Sequence, residues 1–130
     1  MEKSQEVVMQ RMINPAEVHT ISIESTQEER AEMEQRYGID EIRFVRGNFT
    51  IRKDNTVVSC YLLEGTIEAT VIDQGEELMI AESLKLYLVN DEADIEKFPL
   101  EDDVEVVEEG QVDIGDIVGQ YVYLAVMEIE

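Results

Sequence analysis

The sequence predicts an α+β fold: an antiparallel β-sheet, a meander of long and bent strands, covered by a helix from the N-terminal half and a C-terminal helix. Three observations carry this expectation. Residues 40–52, 56–73 and 77–89 are rich in Val, Ile, Leu, Thr and aromatic residues and alternate in polarity, as half-buried strands do. Residues 26–37 carry helix start and stop signals, and residues 113–127 repeat apolar side chains at spacings of three and four. Short turns separate the strands, so neighbours in sequence pair as neighbours in a sheet. A chain of 130 residues fits one domain that buries a core without staples.

The elements follow in order. Residues 1–15 are polar and end in Asn14-Pro15, so they read as a flexible arm preceding a domain over 16–130. In "AEVHTISIE", Val18, Thr20 and Ser22 face one side and His19, Ile21 and Ile23 the other, which predicts a short strand. "STQEERAEMEQRYGI" holds Thr26 and Glu29 at capping-box spacing, so hydroxyl and carboxylate each satisfy an orphan amide. Glu32 and Arg36 stand four apart with the acid first, Met33 and Tyr37 share a face, and Gly38 suits a left-handed stop.

In "DEIRFVRGNFTIR" the apolar phase changes between Ile42/Phe44 and Phe49/Ile51, which predicts a β-bulge at Gly47-Asn48. The next strand, "TVVSCYLLEGTIEATVID", is expected to kink at Gly65, and Gln74-Gly75 turns it into a third strand with Leu84, Leu86 and Leu88 on one side. Residues 91–109 hold ten acids against Lys97 alone and read as a mobile acidic loop, with Val104–Val107 pairing at a sheet edge. Asp113 is the N-cap candidate of the last helix, whose glycines and β-branched residues require packing to hold it.

Charge is the outlier. With 31 acids against 10 bases the net charge is −21, which repels phosphate backbones and anionic lipid surfaces and favours a basic protein partner. Six bases fall between residues 30 and 53, whereas residues 98–130 hold ten acids and no base. Arg36, Arg43, Arg46, Arg52 and Lys53 are therefore candidate contacts for RNA or an acidic partner, unless they only balance their acidic neighbours. Glu101, Asp102, Asp103, Glu105, Glu108 and Glu109 are candidate contacts for a basic one.

Signals for catalysis are poor. His19 is the only histidine, no nucleophile motif accompanies it, and it reads as structural; an enzyme using His19 with carboxylates is the weakest of three readings. "EDD" at 101–103 lacks the alternating ligands and glycine bend of a calcium loop, and "GDIVG" lacks the lysine and spacing of a phosphate loop. No cofactor or metal is expected. Cys60, the only cysteine, reads as a small buried hydrophobe. The first residues lack the apolar core of a signal peptide, and nowhere do ~18 apolar residues run together, so the expectation is a cytoplasmic protein without a membrane span.

Three blocks in order, "VHTISIESTQEERAEMEQRYGI", "GTIEATV" and "VDIGDIVGQYVYLAV", resemble the YceD family, named for accumulation of the large ribosomal subunit's RNA, in its alphaproteobacterial form. They match its opening strand and capped helix, its central strand, and its closing "D-[IL]-G-[DE]-[IL]-V" helix, over residues 16–127. The resemblance implies a non-enzymatic role in large-subunit biogenesis, in which the protein binds an assembly intermediate or a basic ribosomal protein. Many members carry cysteines just after the central strand. Here Gly75 and Leu78 stand in their place, so no metal or redox role carries over.

Overall fold

The structure, a computed structural model, describes residues 9–129. Its centre is a meander of three long strands, β3 (Glu41–Asp54), β4 (Cys60–Asp73) and β5 (Glu76–Val89). A short β2 (Thr20–Glu24) borders β3, and β6 (Val104–Val106) borders β5, giving the order β2-β3-β4-β5-β6. All neighbours are antiparallel except β6, which runs parallel to β5. The fold is α+β: α1 (Gln27–Tyr37) and α2 (Ile114–Ile129) pack on one face of the sheet.

α1 forms where its caps place it. Thr26 Oγ1 accepts from the Glu29 N–H at 3.1 Å, Glu29 Oε1 accepts from the Thr26 N–H at 2.9 Å, and Gly38 ends the helix at φ 68°. Met33 is its fully buried residue. β5 turns Ile80, Leu84, Leu86 and Leu88 into the same core, which Phe49, Leu63, Ile67 and Val71 share with Ile114, Val118 and Val122 of α2. The opposite sheet face is polar over most of its area. At one end, a 3-10 helix (Glu92–Lys97) and Phe98 cover Tyr87, Val89 and Cys60, with the Tyr87 and Phe98 rings 4.9 Å apart.

The phase change in β3 lies earlier than expected. The bulge falls between Ile42 and Phe44, after which Val45, Gly47, Phe49 and Ile51 all face inward. Gly47 pairs regularly with Ile67, so the Gly47-Asn48 bulge does not exist, and β4 runs through Gly65 without a register break. Both glycines answer to one side chain. A Cβ on Gly47 would lie 2.6 Å from the Phe49 ring, and a Cβ on Gly65 would strike Asn48 O and the same ring. The glycines are the floor on which Phe49 lies.

Residues 1–8 of the expected arm lie outside the described residues, but residues 9–15 are packed rather than loose. Met9 is 1% exposed, and β1 (Met12–Ile13) pairs with β7 (Val112–Asp113) in a separate two-stranded ladder. Arg11 is the clasp. Its guanidinium meets Glu29 in a two-pronged ion pair at 2.7 and 2.8 Å and donates to Glu24 O at 3.1 Å, while its backbone N–H donates to Asp113 Oδ1 at 2.8 Å. Residues 91–109, expected as a mobile loop, carry the 3-10 helix, the buried Phe98 and β6; the pairing expected of Val104–Val107 occurs over Val104–Val106.

Gly115 is where the N-terminal segment crosses α2: a Cβ there would strike the carbonyl of Met9. Gly115→Ala gains about 1 kcal/mol of helix propensity but must displace that backbone, at about 1–3 kcal/mol. The expected outcome is a lowered urea midpoint; a raised midpoint would show that nothing crosses there.

Candidate functional site: an acidic groove between β6 and α2

Asp113 caps α2 as its position suggests, Oδ1 accepting from the Asp116 N–H at 3.1 Å as well as from Arg11. Its Oδ2 is buried and has no hydrogen-bond partner among the described residues. Before it, Glu108 and Gln111 face each other across Glu109-Gly110, whose φ values of 53° and 77° make a tight left-handed turn. This turn and β6 form one wall, and the first turns of α2 form the other. Between them lies a groove of about 690 Å³.

The groove floor includes Met12, Val112 and Ile117, and five carboxylates line it: Glu105, Glu108, Glu109, Asp113 and Asp116. A smaller recess of about 220 Å³ shares Glu105 and Ile117 with it and extends along α2 past Asp103, Tyr121 and Leu124. Among the described residues no lysine, arginine or histidine lines either space. Burial and crowding act on these carboxyls in the same direction. Burial, then Asp116 and Glu108, push the Glu105 carboxyl above the usual range, and burial, then Asp113, do the same to Asp116. Tyr121, whose hydroxyl donates to Asp103 Oδ2 at 3.1 Å, is pushed up to about 12 by burial, Asp103, Glu105 and Glu82.

The structure brings four of the six acidic candidates, Asp103, Glu105, Glu108 and Glu109, to this one strip. Glu101 and Asp102 lie just outside it, in the turn that leads into β6. Sequence reading missed Asp113, Asp116 and Tyr121 as site residues, since they read as helix alone. The three-residue offset from Asp113 to Asp116, which puts both on the first turn of α2 facing a run of acids, was the available signal.

The basic candidates do not gather. Arg43 pairs with Glu41 at 3.3 Å; Arg46 pairs with Glu68 at 3.2 Å and stacks 5.0 Å above the Phe44 ring; Arg52 reaches Glu64 at 3.7 Å and Asp54 at 3.8 Å. Arg46 and Arg52 lie on the open sheet face, Arg36 in the last turn of α1, and Lys53 is exposed near the end of β3. His19 sits beside β2, at the sheet edge opposite the groove, its carbonyl accepting from the Ile51 N–H at 2.8 Å. Cys60 is buried, and that burial pushes its thiol up, away from the thiolate. Among the described residues no group of three or more His, Cys, Asp and Glu is disposed to hold a metal ion, and no helix is long and apolar enough to cross a membrane.

Because Glu105 and Asp116 bind protons more tightly folded than unfolded, their contribution to stability is present below the ordinary carboxylate range and is lost as pH rises through their raised values. Glu29, held down by Arg11, has the opposite sign and loses its contribution as pH falls through its lowered value. NMR titration of side-chain carboxyl carbons should find Glu105 and Asp116 protonating first as pH is lowered, and Glu29 among the last. Asp116→Asn should bring Glu105 back toward the usual range.

Comparison with protein-family models, with curated proteins and with solved structures returns no match.

Proposed function

We propose that this protein is a non-enzymatic binding factor that holds a basic polypeptide in the groove between β6 and α2. The observation that carries this reading is the lining of that groove: five carboxylates, an apolar floor and, among the described residues, no cation. A carboxylate raised by its neighbours' charge is stabilised by any cation that enters, so Lys and Arg side chains relieve the repulsion that folding creates. The apolar floor adds contact area that free counter-ions do not use.

The YceD resemblance supplies the setting: a cytoplasmic role in large ribosomal subunit biogenesis and 23S rRNA accumulation, with the partner a basic ribosomal protein or a precursor that displays one. In that setting the acidic groove competes with rRNA phosphates for the same cations and gives the partner up when RNA replaces it. Direct RNA contact through the Arg36–Lys53 region is the second reading. The carboxylate pairing of Arg43, Arg46 and Arg52 weighs against it, because each cation is already partly neutralised.

Purified protein should retain a basic ribosomal protein or a large-subunit precursor from lysate, with affinity falling steeply between low and physiological salt. Measured by calorimetry, Glu105→Gln with Glu108→Gln and Asp116→Asn should cost about tenfold or more in affinity and flatten the salt slope. Arg43→Ala, Arg46→Ala and Arg52→Ala should leave both unchanged. Loss of binding in the arginine variants, with none in the carboxylate variants, would transfer the function to the RNA reading.

A further inference from the structure

The two edges of the sheet are not equivalent. At the β2 edge, the Ile51 N–H donates to His19 O and the Ser25 N–H donates to Val45 O, so odd-numbered residues face β3 and Thr20, Ser22 and Glu24 turn their backbone outward. Arg11 occupies one outward group of that edge, donating to Glu24 O at 3.1 Å. At the other edge, the Tyr87 N–H donates to Asp103 O at 2.9 Å and the Val107 N–H donates to Val89 O at 2.7 Å. With Tyr87 opposite Val104 and Val89 opposite Val106, the parallel ladder runs through Asp103, Glu105 and Val107. The N–H and C=O of Val104 and Val106 therefore point away from the sheet, and among the described residues β6 has no further neighbour in it.

This open edge borders the groove, to which both Glu105 and Val106 contribute. The pleat then sets what stands on each side. Glu105 lies opposite the core-facing Leu88, so its side chain is on the α2 side, with Asp116 near enough to raise its carboxyl. Val104 and Val106 lie on the reverse side, packed on the cluster of Cys60, Val89 and Phe98.

The geometry points to strand addition: a partner's extended segment pairs with β6 as a new edge strand, cations at every second residue facing Glu105 and Asp116, and apolar residues at the alternate positions lying beside Val104 and Val106. The inference rests on the reading of the groove as a site for a basic polypeptide, and names the conformation and residue pattern that site selects. Main-chain hydrogen bonds supply register and the alternation supplies selectivity, so a basic helix, whose cations recur at three and four, does not fit. A second copy of this chain is disfavoured at the same edge, because it would set Glu105 against the acids of its twin at a net charge of −21 each.

The test uses the full chain and a short capped peptide of alternating lysine and valine, with a version N-methylated on the backbone groups that would face β6. The unmodified peptide should bind, the N-methylated one should lose about tenfold or more, and exchange of the Val104 and Val106 amides should slow on binding. Val106→Pro, which removes one outward N–H while leaving the bonds to β5 to Glu105 and Val107, should weaken the unmodified peptide alone. Equal affinity for both peptides, lost on Glu105→Gln with Asp116→Asn, would overturn strand addition and leave the groove reading standing. No binding of the unmodified peptide, or binding indifferent to those carboxylates, would overturn both. Slow exchange at Val104 and Val106 in peptide-free protein that sediments as a dimer would overturn the proposed occupant in favour of a second copy.

Discussion

One carboxylate oxygen joins the two ends of the described chain. Asp113 Oδ1 takes the backbone N–H of Arg11 and that of Asp116, so the same atom fixes the N-terminal strand and starts α2. Arg11 then carries the connection to α1 through Glu29, the residue that also closes the capping box. Charge-assisted bonds of this kind are about twice as strong as neutral ones, and here they bridge segments 102 residues apart. Without them the first turn of α2, and with it one wall of the groove, would have no fixed place.

That junction has an electrostatic cost. Holding Asp113 at the head of α2 leaves its second oxygen buried without a partner among the described residues and sets its charge against Asp116, which in turn presses on Glu105. The helix N-terminus repays part of this, since its dipole favours negative charge. The remainder persists as repulsion spread along the groove, and a bound cation removes it. Stability and binding therefore pull in opposite directions on the same side chains, as is common where a site is built from like charges.

Local chemistry was legible in the sequence; long-range contact was not. Thr26, Glu29 and Gly38 mark α1 because capping needs only residues within one helical turn, and Leu84, Leu86 and Leu88 mark β5 because alternation needs only neighbours. The bulge in β3 was misplaced because the phase change demands a slip somewhere between Ile42 and Phe49 without saying where. The Phe49 ring, which needs both Gly47 and Gly65 beneath it, requires the slip to come before Gly47, and Gly65 lies on another strand. Met9 and Arg11 looked like a loose arm because their partners, Gly115 and Asp113, come near the far end of the chain. The acidic run was visible as composition, but its meeting with Asp113 and Asp116 depends on β6 joining β5 in parallel, which no local pattern dictates.

The central claim is that repulsion among the carboxylates between β6 and α2 is what a basic partner relieves. The most direct measurement is an amide chemical-shift map of the labelled protein titrated with a lysine-rich peptide at low salt. The account predicts perturbations confined to residues 103–121, centred on Glu105 and Asp116 and reversed by added salt. Shifts spread evenly over the acidic surface, or centred on the open sheet face around Arg46 and Arg52, would contradict it.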